Sequence, residues 1–256
     1  MTNSRTMRVF QAAASMLVLA AAWQGLSYLF PPYLFPPVPE IISRTIEILV
    51  TGSLLTDVLL TAARIFGGLF GAFLFGGILA MVIGQSKTAE NFITPVLTFF
   101  QGIPALSWVV FAIIWFHGIE FRVLFIMVMT TLPAFTFQIL DAFRSMSKDL
   151  FEMTMAFRPS RWKLFRFLIV PTIVPGIFTA WKVNLGNAAR VVVVAELVGA
   201  TGGVGYQLLR QQQLFDMAGA MAWTLQLVLF VLIVQQTINA IETYALRYRA
   251  VSERAM

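Results

Sequence analysis

Six apolar runs, at 9–30, 58–84, 92–116, 121–143, 168–198 and 217–245, leave this chain little choice of fold. Each is about 20 residues or longer, enough for a helix to cross the ~30 Å hydrocarbon layer. Backbone amides find no water there, so each run must satisfy its own hydrogen bonds by coiling into a helix. The expected fold class is an all-α integral membrane protein, one domain over residues 1–256 with about six transmembrane helices. Composition agrees, since only 12% of the residues are charged where a soluble domain carries roughly 25%. The run at 92–116 is the least regular, interrupted by Pro95, Gly102 and Pro104.

Several functions are excluded. A net charge of +6 raises nucleic acid as a partner, but the charges sit at the ends of apolar runs and not on one face. The lipid bilayer is the expected partner instead. The chain has no cysteine, which removes disulfides, thiol catalysis and thiolate metal sites. Its single histidine, His117, removes a His-built metal centre or triad within one chain. No catalytic residue and no metal ligand is therefore expected. Arg5 and Arg8 before an apolar run resemble a signal peptide, yet Val9–Phe30 exceeds the roughly 7–15-residue signal core. A retained first span is the expectation. Segment 31–57 opens with five prolines and continues as Ile41, Ile42, Thr45, Ile46 and Leu49, a helical spacing suited to the membrane interface.

Lys and Arg set the orientation. With the N-terminus inside, the cytoplasmic segments hold twelve bases, including Arg5, Arg8, Arg249 and Arg254 at the ends. The outer loops hold three, Arg44, Arg122 and Arg210. Both termini and the loop at 144–167 are thus expected in the cytoplasm. That loop is basic and amphipathic, with Phe151, Met155, Leu164, Phe165 and Leu168 spaced for two short helices. A residue before proline avoids the helical region, so Arg158-Pro159 should end the first helix near Phe157. Pro159 or Ser160 can open the second, with the serine hydroxyl as its cap.

Within this loop the chain resembles the permease subunits of bacterial ABC importers, whose loop carries the EAA motif. Glu152 takes the motif's Glu, and Leu168, Val170 and Pro171 its Ile-x-Leu-Pro, at the family spacing. Met153 and Thr154 replace the two alanines, and Arg158 stands at the glycine, with Pro159 able to supply the break. Gln101–Leu106, Leu132-Pro133, Trp115–Glu120, Val194–Gly199 and Gly202–Tyr206 are similar to the nitrate/sulfonate/taurine/bicarbonate group. The resemblance covers roughly residues 35–240. It implies a type I-like permease fold in the inner membrane and a homodimer. It also implies two ATP-hydrolysing partner subunits and an extracytoplasmic solute-binding protein. Glu152, Met155, Ala156, Phe157, Arg158, Pro159 and Ser160 would form the coupling contact. No G-x-x-x-x-G-K-[ST] pattern occurs, so ATP and Mg would be bound by the partner and this chain would be no enzyme. A secondary transporter or channel is the alternative; it would favour an inverted repeat or ion-coupling acids within the spans, and neither is seen.

For the solute path the candidates are Arg190, Asn187, Glu196 and Lys182. Arg190 lies deep in the fifth span and reads either as an anion contact or as one half of a structural pair. Six residues separate it from Glu196, which puts the two on different faces. Glu196 reads as packing or gating. Lys182 and Arg64 are expected to reach the headgroups with their long side chains. The six tryptophans are expected mostly near span ends, and Gly67, Gly68, Gly71, Gly76 and Gly77 to let helices pack closely.

Overall fold

The computed structural model describes residues 2–50 and 53–247. Arg249 and Arg254, counted above with the cytoplasmic bases, lie outside the described residues. The helices are α1 (Thr2–Ser27), α2 (Val38–Val50), α3 (Ser53–Gln85), α4 (Lys87–Gly102), α5 (Ala105–Trp115) and α6 (Ile119–Arg144). Then come α7 (Lys148–Ala156), α8 (Arg161–Leu164), a π-helical turn (Phe165–Ile169), α9 (Val170–Leu197), α10 (Val204–Gln213) and α11 (Met217–Ala245).

Among the described residues, four helices are long and apolar enough to cross a membrane, or five if α4 and α5 are one broken span. The sequence reading of about six counted α1 as well, whose apolar stretch Ala13–Ser27 is shorter. It also took 92–116 as one irregular span, whereas α4 and α5 meet at 94°. Pro104 causes the break. It offers no N–H and holds Ile103 extended, at φ −76° and ψ 122°.

The core lies where α3, α6 and α9 meet. Ile65 and Leu69 of α3, Ile126 and Phe135 of α6, and Leu185 and Val192 of α9 are all fully buried. Lipid tails are as apolar as these side chains, so the helices are held by close packing and polar ties more than by a hydrophobic drive. Close packing is visible at Gly68, where an added Cβ would overlap Met127 of α6. Trp108 and Trp223 are buried in this core too, contrary to the expected interfacial belt. Amphipathic α2 lies along α11, with Thr45 buried and its carbonyl accepting from Gln226 Nε2 at 3.1 Å.

The polar tie is centred on Arg64, only 3% exposed. Its Nη1 donates to Glu196 Oε1 and to the Gly202 carbonyl, each at 2.8 Å. Its Nε and Nη2 grip the Glu120 carboxylate at 2.9 and 2.5 Å. One guanidinium thus joins α3 to the start of α6, the end of α9 and the loop after it. The expectation that Arg64 reaches the headgroups is wrong. A buried cation beside two carboxylates is held by them. Thr61 Oγ1 donates to Glu196 and accepts from Val204 N–H, and Gly205 N–H donates to Glu196 Oε2 at 2.8 Å. Asp57 accepts from Gly203 N–H and from Gln207 Nε2, both at 2.7 Å. Gly203 is required here. Its φ of 111° disfavours other residues, and a Cβ would collide with the Glu196 carboxylate.

Arg64→Met leaves two carboxylates facing a lost cation, and stability in detergent should fall by about 3–5 kcal/mol. Glu120 is 61% exposed at its side chain, so Glu120→Gln should cost under about 1 kcal/mol in the same unfolding assay. Gly68→Val should cost about 1–3 kcal/mol by overpacking. Gly77→Ala, where the nearest atom to an added Cβ is 3.9 Å away, should change thermal stability little.

Candidate functional site

The loop between α6 and α9 projects from the bundle as an elbow of two short helices. Ser147 opens α7, accepting from Leu150 N–H at 3.4 Å, and Asp149 in the first turn suits the positive end of the helix dipole. The helix stops at Ala156. Phe157 N–H then donates to the Thr154 carbonyl and Arg158 N–H to the Met155 carbonyl. Arg158 has φ +47°, in the left-handed region. The sequence reading assigned the break to Pro159. In the structure Arg158 itself adopts the conformation that a glycine at this motif position would take without strain. Ser160 then caps α8, accepting from Lys163 N–H at 3.4 Å.

No residue of α7 or α8 is buried. Glu152, Met155, Ala156, Phe157, Arg158 and Ser160 are exposed, and Pro159 is half-buried. Phe157 is 82% exposed and Trp162 65%, with Trp162 stacked on Phe165 at 6.0 Å. Arg158, Arg161, Lys163 and Arg166 stand exposed among them. Behind the elbow a groove of about 310 Å³ is lined by Phe143, Met146, Lys148, Phe151, Glu152 and Ile169. Large rings and cations are thus presented together, with the backbone fixed at both caps.

The four solute-path candidates do not form one cluster. Glu196 is buried in the Arg64 tie, which favours packing over a place on an open path. Lys182 is paired within the chain. Its Nζ pairs with Glu242 of α11 at 2.8 Å. Arg190 is exposed, and Asn187 one turn before it is half-buried. Arg190 and Glu196 lie on different faces of α9, as their spacing requires. Asn184, on the buried side, donates to Gln138 Oε1 of α6 at 2.6 Å. Among the described residues, no group of three or more His, Cys, Asp or Glu could hold a metal ion.

Sequence reasoning gave Arg64 no ion-pair partner, met Glu120 only within the Trp115–Glu120 resemblance, and did not single out Asp57 or Glu242. The partners of Arg64 are 56 and 132 positions away along the chain, and no local periodicity signals such a pairing. The one available signal was Arg64 itself, a strong base set among glycines and apolar residues.

The fold and sequence have clear relatives. By structure, the chain is similar to the MetNI methionine ABC transporter in its inward-facing form, with a TM-score of 0.66. The match covers 75% of this chain and 95% of that one at 18% identity. By sequence, it is 23% identical over 208 residues to the taurine transport system permease protein TauC of Escherichia coli, covering 78% of this chain and 76% of TauC. It is 26% identical over 220 residues to the formylaminopyrimidine transport permease protein ThiX of Halalkalibacterium halodurans, covering 85% and 87%. The model of the binding-protein-dependent transport system inner membrane component matches residues 72–244, about two thirds of the chain. The chain belongs to that family of inner membrane transport components.

Proposed function

We propose that this chain is the permease subunit of an ATP-driven ABC importer. It forms the route for a small solute delivered by an extracytoplasmic binding protein. ATP and Mg are bound by a separate ATPase subunit, and this chain carries no catalytic residue of its own. Two copies of the chain stand side by side, each docked on one of two ATPases, and both termini lie in the cytoplasm.

The observation that carries this reading is the elbow. A nine-residue helix, capped at its start and ended by a left-handed residue, presents Glu152, Met155 and Phe157 to solvent. It is joined through α8 and the π-helical turn to α9, the helix that reaches the Arg64 tie. A displacement of the partner at the elbow is thereby passed along α9 to the far end of the bundle. The twelve-to-three distribution of bases supports a cytoplasmic elbow. Relatives that carry taurine and formylaminopyrimidine by name support a small organic solute.

The test is co-purification of the ATPase expressed with this chain. Glu152→Arg and, separately, Phe157→Asp should each weaken capture at least about tenfold, as loss of a central anchor does. Unchanged capture by both variants would reject the docking role. Arg158→Gly should relieve about 1 kcal/mol of left-handed strain, raise the unfolding temperature and leave ATPase capture intact.

A further inference from the structure

The apolar runs enclose four bases, and the structure treats them differently: Arg122, at the start of its run, donates to the Phe116 carbonyl. Arg64 and Lys182 are each ion-paired within the protomer. Arg190 is exposed, on a stripe of α9 that the protomer leaves uncovered. Thr179 and Val183 are exposed on that stripe, Asn187 is half-buried, and a Cβ added at Gly186 would meet nothing within 4 Å. Their spacing of three to four residues puts them on one face. The opposite face, Asn184, Leu185, Ala188 and Val192, is buried.

A lipid-facing arginine at membrane depth costs about 2.5–3.5 kcal/mol on insertion scales. The stripe is therefore better accounted for by water or by a second protein surface than by acyl chains. Among the described residues, no carboxylate of the same chain ion-pairs with Arg190. Glu120 and Glu196 hold Arg64, and Glu242 holds Lys182. Asp57 is taken by Gly203 and Gln207, beyond Glu196, and Asp141 of α6 remains to consider. The Gln138–Asn184 hydrogen bond sets the register of α6 against α9, which run in opposite directions. Asp141 lies three residues toward one end from that bond and Arg190 six toward the other, a separation of about 14 Å along the axis. A second copy related by an axis normal to the membrane keeps every residue at its own depth, so its Asp141 lies no closer in depth. Pairing two copies doubles the cation and adds no counter-charge.

We propose that Arg190, with Asn187 one turn below it, is the anion-recognition point of the solute route, in a watery passage closed by a second copy of this chain. The guanidinium fork suits a carboxylate or sulfonate, which accepts two parallel N–H bonds. The Asn187 amide adds a donor on the same face. The inference rests on the permease reading and names the charge class of the solute.

The chain has no cysteine, so labelling read on this chain reports the introduced thiol. Asn187→Cys is placed in the transporter assembled with its ATPase and binding protein, in proteoliposomes. Its rates with an anionic sulfonatoethyl and a cationic trimethylammonioethyl methanethiosulfonate are normalised to those of a free thiol. The anionic reagent should be favoured about tenfold by the nearby cation. Adding Arg190→Gln should bring the two rates to parity, and adding Arg190→Lys should keep the preference. Val183→Cys, on the same stripe, carries the test should Asn187→Cys fail to assemble. Absence of reaction at both positions would place the stripe against lipid and overturn the proposal. Equal rates with Arg190 present, or a preference that survives Arg190→Gln, would overturn it as well. Failure here with intact ATPase capture counts against the anion site alone, whereas lost capture by the native chain counts against the permease reading.

Discussion

A single buried guanidinium organises one end of this molecule. Arg64 cannot be left unpaired in a medium that solvates no charge, so the chain brings carboxylates to it from α6 and α9 and a carbonyl from the following loop. These contacts in turn fix where Gly203 and Val204 must run, because Glu196 and Thr61 take their hydrogen bonds from that backbone. The register of α3 against α6 and α9 follows from meeting those demands together with the glycine-mediated contact at Gly68.

The two ends of α9 are built differently. Its far end is locked, with Glu196 buried and hydrogen-bonded on both oxygens. Its near end emerges from a π-helical turn and an elbow in which no residue of α7 or α8 is buried. A helix fixed at one end and offered to a partner at the other transmits displacement along its length. Between the two ends lies the uncovered stripe with Arg190.

Much of this was legible in the sequence because it depends on local rules. The apolar runs dictated helices, the Arg158-Pro159-Ser160 turn ended α7 and capped α8, and the glycines of α3 marked a close contact. Pro104 signalled irregularity, but one proline does not say whether a run kinks or folds back, and the 94° bend needed coordinates. What stayed hidden was pairing. Lys182 and Arg64 looked like bases reaching for headgroups, since nothing nearby in sequence announces Glu242 or Glu120 as a partner. Two of the six tryptophans misled for the same reason. An indole suits an interface and a core equally well, and only tertiary contact decides, as at Trp108 and Trp223. Arg158 is a further case: it takes the left-handed backbone that favours glycine, which its residue type does not announce.

The central claim is that the elbow faces the cytoplasm and is covered there by the ATPase. Met153→Cys, exposed on α7 and not one of the docking anchors, tests it directly in this cysteine-free chain with a membrane-impermeant thiol reagent. The account predicts labelling in inverted vesicles, absence of labelling in right-side-out vesicles, and protection in inverted vesicles once the ATPase is bound. Labelling from the outer side, or labelling from within that the ATPase leaves unchanged, would contradict it.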